Sequence, residues 1–260
     1  MRNAILSGLL AMACTAPAHA EEREFCASRP GLGTPSCTMA PGTAMVEVGG
    51  IEWDGAADAG GRTDSLTFGD LGLRVGLDER TEVQVGYTAF TRQRSRDGSD
   101  VAVARGSGDA MIGLRRGLAG PNGPVAVQAF VTLPVGRGVG TAGDWGAGLR
   151  VPAALTLPQG FEIDLTPEAD AAVNQSGEGR HLAYGGVIGL AHAVAPRLSG
   201  ELELAAFRDD DPAGHSTDAR IAASLAWMVR PGLQLDAEYD RGLSQGAPDN
   251  AVALGFAFRL

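Results

Sequence analysis

Four groups of residues in this 260-residue sequence have types and spacings that could do chemistry. Gly138-Val-Gly140-Thr-Ala-Gly143 has the spacing of a dinucleotide-binding turn, where glycines let backbone amides approach a pyrophosphate. The next residues, Asp144-Trp-Gly-Ala-Gly-Leu-Arg150-Val-Pro152, are glycine-rich and broken by proline where a phosphate-binding helix would have to begin. A flexible external loop is expected there. His192 shares an alternating face with Leu182, Tyr184, Ile188 and Leu190, and with a serine beside it could make a nucleophile and base pair. No adjacent serine is clearly paired with it, so His192 reads as an interfacial residue beside the Ala195-Pro196 turn. Asp209-Asp210-Asp211 carries charge for a cation but lacks the spaced ligands and turn glycine of an EF-hand loop, which predicts a solvated loop meeting divalent ions at a surface.

The fourth group is the cysteines, whose reading depends on compartment. Met1-Arg2-Asn3 is a positive start, Ala4 to Cys14 is small to apolar, and Ala18-His19-Ala20 fits a small-x-small cleavage site, so residues 1–20 read as a signal peptide cleaved after Ala20. Cys14 leaves with it. Cys26 and Cys37 then lie close together in an oxidising compartment and are expected to form a disulfide. A metal site on them would need further ligands, and the nearest mature-chain histidine, His181, is distant in sequence without ligand-like spacing. No catalytic residue, cofactor or metal site is expected, and the chain is not read as an enzyme.

The remaining chemistry is in rows of charge, and the rows define the elements that carry them. Leu233, Leu235, Ala237 and Tyr239 alternate with Gln234, Asp236, Glu238 and Asp240; Leu198, Leu202 and Leu204 alternate with Ser199, Glu201 and Glu203. Period two is a strand with two faces. Successive acids cannot point unpaired into a dry core, so one face suits lipid and the other a wet or crowded interior. By this alternation Glu162, Asp164, Glu201, Glu203, Asp236 and Glu238 point inward, with Arg74, Arg115, Arg150, Arg220 and Arg259. Such rows could line a narrow aqueous path or pair across it and close it.

Twelve alternating segments are expected, at about 42–54, 63–76, 81–92, 106–118, 123–134, 144–157, 160–172, 181–193, 197–208, 218–229, 232–242 and 250–260. Their connections alternate between tight turns (77–80, 119–123, 158–159, 195–196, 230–232) and longer polar loops (55–62, 93–105, 135–143, 175–180, 209–217, 244–249). Short turns alternating with long loops, and an even strand count, are the pattern of an outer-membrane up-and-down β-barrel with both termini in the periplasm. A soluble β-sandwich, the rival, gives no reason for the alternation of loop lengths. Aromatic residues are only 5% of the chain, so Trp53, Trp145, Trp227, Tyr87, Tyr184 and Tyr239 must supply much of any interfacial girdle.

Leu73-Arg-Val-Gly76-Leu-Asp-Glu-Arg80-Thr-Glu-Val83, Gly106-Ser-Gly108-Asp109-Ala-Met-Ile-Gly113-Leu-Arg-Arg116 and Leu133-Pro-Val-Gly136 together resemble the outer-membrane transporter family of the putative MetA-pathway of phenol degradation. In that family a Gly-x-Gly-Asp strand opening precedes a strand ending in Leu-Pro-Thr-Gly, and Val135 stands here in place of the threonine. The resemblance implies an outer-membrane channel for small molecules, with hydrophobic or aromatic compounds among the candidates. Separately, the alternating Phe256, Phe258 and Leu260 resemble the C-terminal signal read by the barrel assembly machinery, although that signal usually ends in phenylalanine.

The organisation expected is therefore a signal peptide at 1–20, a disulfide-stapled periplasmic segment at 21–41 and an outer-membrane barrel at 42–260. Its partners would be outer-membrane lipid and lipopolysaccharide, the assembly machinery and a small-molecule solute. With a formal net charge of -10, falling to -11 once Arg2 leaves, nucleic acid is excluded. Two functions remain open, a passive channel and a closed barrel whose external loops bind partners. The stapled segment is either an ordered tail or a gate folded into the periplasmic mouth.

Overall fold

The protein is described by a computed structural model covering residues 23–57 and 60–260. The expected signal peptide and its cleavage after Ala20 lie outside the described residues. Among these residues no helix is long and apolar enough to cross a membrane. The only helical element among the described residues is a single 3-10 turn at Pro158–Gly160.

Strands do the crossing. Nine run unbroken: β1 (Ala44–Ala57), β2 (Gly61–Gly76), β3 (Thr81–Asp97), β7 (Phe161–Val173), β8 (Arg180–Ala195), β9 (Leu198–Asp209), β10 (Ser216–Arg230), β11 (Leu233–Gly242) and β12 (Asn250–Arg259). Three lie between β3 and β7, each broken once: β4 (Asp100–Ser107, Ala110–Gly117), β5 (Ala126–Leu133, Arg137–Gly138) and β6 (Gly146–Arg150, Ala153–Thr156). Each pairs antiparallel with its sequence neighbours, and β1 pairs with β12 from Met45↔Arg259 to Gly55↔Asn250, which closes the ring. Closure leaves no open sheet edge, the condition for placing strands in hydrocarbon.

The two faces follow the period-two pattern. Leu202, Leu204, Leu225 and Leu254 stand outward, each about half exposed (58%, 50%, 48% and 49%). Glu203 and Ser224, beside them in the chain, and Ala257 farther along β12 are buried inward. Trp227 is exposed near the short-turn end, while Tyr184, Tyr239 and Trp145 are exposed toward the long-loop end.

Several expected loops are instead strand. Residues 93–105 continue β3 and β4 as a ladder from Thr91↔Gly106 to Asp97↔Asp100, turning at Gly98 with φ 55°. The polar stretch hid two β-competent rows: Thr91, Gln93 and Ser95 on one, Val101 and Val103 on the other. Residues 55–62 shrink likewise, because β1 and β2 pair as far as Ala57↔Arg62. Tight turns survive at 196–197 and 231–232, where Arg197 and Gly232 take positive φ.

The breaks in β4 and β5 lie side by side and lock together. Asp109 accepts the Gly136 amide at 3.0 Å on one carboxylate oxygen and the Ala142 amide at 2.8 Å on the other. A Cβ on Gly136 would lie 2.5 Å from the Ser107 carbonyl oxygen, so only glycine fits beneath that strand end. The Gly-x-Gly-Asp and Leu-Pro-x-Gly motifs thus form one clasp, and Gly138 to Gly143 is the loop it holds. Removing both acceptor oxygens with Asp109→Ala should destabilise the folded barrel by about 1–3 kcal/mol. A lowered urea midpoint for refolded protein would show this, with Asp109→Asn intermediate; an unchanged midpoint for Asp109→Ala would refute the clasp.

Candidate functional site

The barrel lumen is occupied by the chain's own N-terminal segment. Residues 23–41 form no regular secondary structure apart from one bridge at Pro41, so their backbone groups need partners elsewhere. Side chains of the wall supply them. Glu47 accepts the Ser28 amide at 3.0 Å, Glu238 that of Gly31 at 2.7 Å, and Glu82 that of Met39 at 2.7 Å. Glu203 takes two, Leu32 and Gly33, each at 2.8 Å. Thr166 accepts the Thr34 amide at 3.0 Å. In the reverse direction, Gln234 donates to the Arg29 carbonyl at 2.7 Å, Arg74 to that of Cys26 at 2.5 Å, Arg115 to that of Cys37 at 3.3 Å and Arg259 to that of Arg23 at 2.6 Å.

Local sequence explains why the segment fits. Cys26 and Cys37 are joined by a disulfide with Cα atoms 6.3 Å apart, which closes the segment into a loop. Gly31 has φ 114°, and a Cβ there would sit 2.9 Å from a Glu203 carboxylate oxygen, so glycine lets that carboxylate reach the backbone. Arg29 lies against Gly49 and Gly255, which face each other across the β1–β12 seam, and pairs with Asp236 at 3.1 Å. At the short-turn end Met39, Met45 and Ala257 form a small apolar cluster, with Phe25 and Ala27 packed against it.

The charged residues expected to face inward divide into two sets. The first holds the plug or a wall partner. Arg74 grips Glu82 through two nitrogens at 2.8 and 3.0 Å and lies 3.3 Å from Glu47. Arg115, 1% exposed, donates to Gln128 at 3.0 Å and lies 3.6 Å from Glu82. Burying these cations is tolerable because each has several partners. Arg150 pairs with Glu168 at 2.8 Å and lies over Phe130, and Arg220 pairs with Asp218 and lies 3.7 Å from Asp240. Glu203, Asp236, Glu238 and Arg259 hold the plug as described above. The second set is Glu162, Asp164 and Glu201, for which no hydrogen bond or ion pair occurs among the described residues. They flank Ala191 and Gly189 of β8, opposite Glu162 and Asp164 on one side and Glu201 and Glu203 on the other.

Sequence reasoning missed Glu47, Glu82, Thr166, Gln128 and Gln234 as plug or wall partners. Their signal was present, since Glu47 alternates with Val46 and Val48, and Glu82 and Gln84 with Val83 and Val85. Phe256 and Phe258 pair with Val48 and Val46 on the outward face, and the Leu260 amide donates to Ala44 at 2.8 Å. His192 stacks on Phe161 with centroids 4.3 Å apart, and its Nδ1 is 3.1 Å from the Gly160 carbonyl oxygen. The Asp209-Asp210-Asp211 stretch is not the freely solvated loop expected. Asp211 is buried, and the amides of Ala213 and Gln175, both at 2.6 Å, hold its carboxyl below the usual range.

Fold and lumen define the class: a twelve-stranded transmembrane β-barrel whose lumen holds its own disulfide-closed N-terminal segment. Residues 43–260 match the model of the family described as "Putative MetA-pathway of phenol degradation", and the chain belongs to that family. In fold it is similar to an outer membrane channel from Pseudomonas putida F1 (15% identity, TM-score 0.65, 86% of this chain and 97% of that one). It is also similar to the β domain of the Bordetella autotransporter BrkA (13%, TM-score 0.61, 85% and 100%) and to the translocator domain of the autotransporter NalP from Neisseria meningitidis (15%, TM-score 0.55, 85% and 90%). No curated protein sequence matches the chain.

If Glu203 seats the plug, Glu203→Ala should expose the Cys26–Cys37 bridge, because two amides lose their acceptor at roughly 1–3 kcal/mol. Reduction by a water-soluble phosphine should then run about 10- to 100-fold faster than in the wild type, with Glu203→Gln between. Equal rates would mean that Glu203 does not hold the segment.

Proposed function

We propose that this protein is an outer-membrane channel for passive passage of small solutes, restricted by its N-terminal plug and favouring cations. The observation that carries this reading is the division of the inward charges into those with partners and those without. The plug backbone is bound all round the wall, to Arg74, Arg115, Thr166, Glu203 and Glu238, and the inward arginines each have a partner in the plug or the wall. The carboxylates of Glu162, Asp164 and Glu201 on β7 and β9 are left without partners among the described residues. A charged carboxylate without a partner needs water, so in this reading these three line the remaining aqueous path. The plug contacts reach Thr166, Glu203 and Glu238 near the middle of their strands and leave the long-loop half of the lumen free of plug contacts.

In this reading a signal peptide ending at Ala20 exports the chain, and the strand end at Phe256, Phe258 and Leu260 is what the assembly machinery recognises. The long loops meet lipopolysaccharide, and the outward leucines meet lipid. The family description makes aromatic compounds the solutes to try first. No turnover chemistry is assigned.

Planar-bilayer recordings test both halves of the proposal. Deleting residues 23–40 should enlarge the single-channel step severalfold, and an unchanged step would show that the segment does not restrict the path. Replacing the three free carboxylates together (Glu162→Gln, Asp164→Asn, Glu201→Gln) should move the reversal potential in a salt gradient toward zero. A retained cation preference would place the selectivity elsewhere.

A further inference from the structure

At the outer mouth a second cluster lies apart from the plug and the carboxylate path. His181 is the second residue of β8, Asp209 ends β9, and Asp211 lies in the loop between β9 and β10. One ligand atom from each falls within 4.8 Å of the other two. His181 is distant in sequence from Asp209 and Asp211, and the β8–β9 register, which sets Asp209 opposite Ala183, brings it to them.

An orphaned nitrogen marks the cluster as more than a group of acids. The His181 side chain is 5% exposed, and its Nε2 is fully covered yet has no hydrogen-bond partner. That atom nonetheless lies 2.9 Å from Asp209 Oδ1. The ring's other nitrogen is 3.0 Å from the Asn174 side-chain oxygen and 3.4 Å from Asp211 Oδ2, and a neutral ring donating Nδ1–H to these acceptors presents its lone pair at Nε2. A lone pair facing a carboxylate oxygen is repulsive unless a cation is held by both. Two donors each about 2.0–2.1 Å from one metal ion, in neighbouring coordination positions, lie about 2.9–3.4 Å apart, and the separation here falls in that range. The carboxylates are fixed as well: Asp209 Oδ1 accepts the Asp211 amide at 3.0 Å, and Asp211 is held by the amides of Gln175 and Ala213.

We propose that His181, Asp209 and Asp211 bind one divalent transition-metal ion, of which Zn²⁺ is the type, with water completing the coordination. One imidazole and two carboxylates suit zinc and its neighbours better than calcium or magnesium, which take oxygen ligands. The ion would join the β7–β8 connection, through Asn174 and Gln175, to the β9–β10 loop and so fix the shape of the outer mouth.

Isothermal titration of the refolded full chain with Zn²⁺ alone, in detergent and with millimolar Mg²⁺ and Ca²⁺ present, tests the site. One equivalent should bind, and Asp209→Asn and His181→Gln should each weaken binding at least tenfold, while folding is checked by heat-modifiable gel migration. Should a variant not fold, the wild-type protein still decides. Zn²⁺ should shift the ¹⁵N signals of the His181 imidazole and leave those of His192 and His215 in place. Absence of stoichiometric binding, binding unaffected by either variant, or unshifted His181 signals would overturn the proposal and leave His181 as an imidazolium paired with its two acids.

Discussion

A peptide segment without helix or ladder can sit inside a barrel only if the wall takes over every hydrogen bond that secondary structure would have made. Here carboxylates accept the amides and arginine or glutamine side chains donate to the carbonyls. Most of the lumen's chemistry follows from that substitution. Charged acceptors and donors make stronger hydrogen bonds than neutral ones, and the arrangement neutralises wall charges that would otherwise be buried bare. Removing the segment would strand both partners at once, so plug and wall are mutually dependent.

The same constraint accounts for where glycine stands. Gly31 admits the Glu203 carboxylate to the plug backbone, and Gly49 opposite Gly255 makes the shallow dent that takes Arg29. On the far side of the barrel, at the breaks in β4 and β5, glycine serves a different end: strands that cannot continue regularly are held by one aspartate, Asp109, across them. Closure of the ring, the clasp and the plug are thus three separate ways of leaving few backbone polar groups unmatched in a setting with little water.

Much of this was legible in the sequence because lipid on one side and a polar interior on the other impose a strict period of two. Twelve strands follow from that period, and the Cys26–Cys37 pair from compartment. Residues 93–105 were misread because polarity stood in for loop, whereas an extended hairpin projecting from the barrel can be polar on both faces. Which charges pair was not legible at all. Nothing in the spacing of Arg74 and Glu82, or of Glu203 and Gly33, distinguishes them from Glu162 or Glu201, which have no such partner; only the plug's path through the lumen does. Asp209 and Asp211 stood out in the sequence as acids that could meet a cation, but His181 did not, since it joins them only through strand register.

The most direct test of the account is amide hydrogen exchange of the folded, full-length protein, resolved for the plug. The account predicts that Ser28, Gly31, Leu32, Gly33, Thr34 and Met39, which belong to no helix or strand, exchange as slowly as amides inside β9 and β11. Exchange of these six at the rate of an unstructured peptide would contradict it, and would mean that the segment does not rest in the lumen.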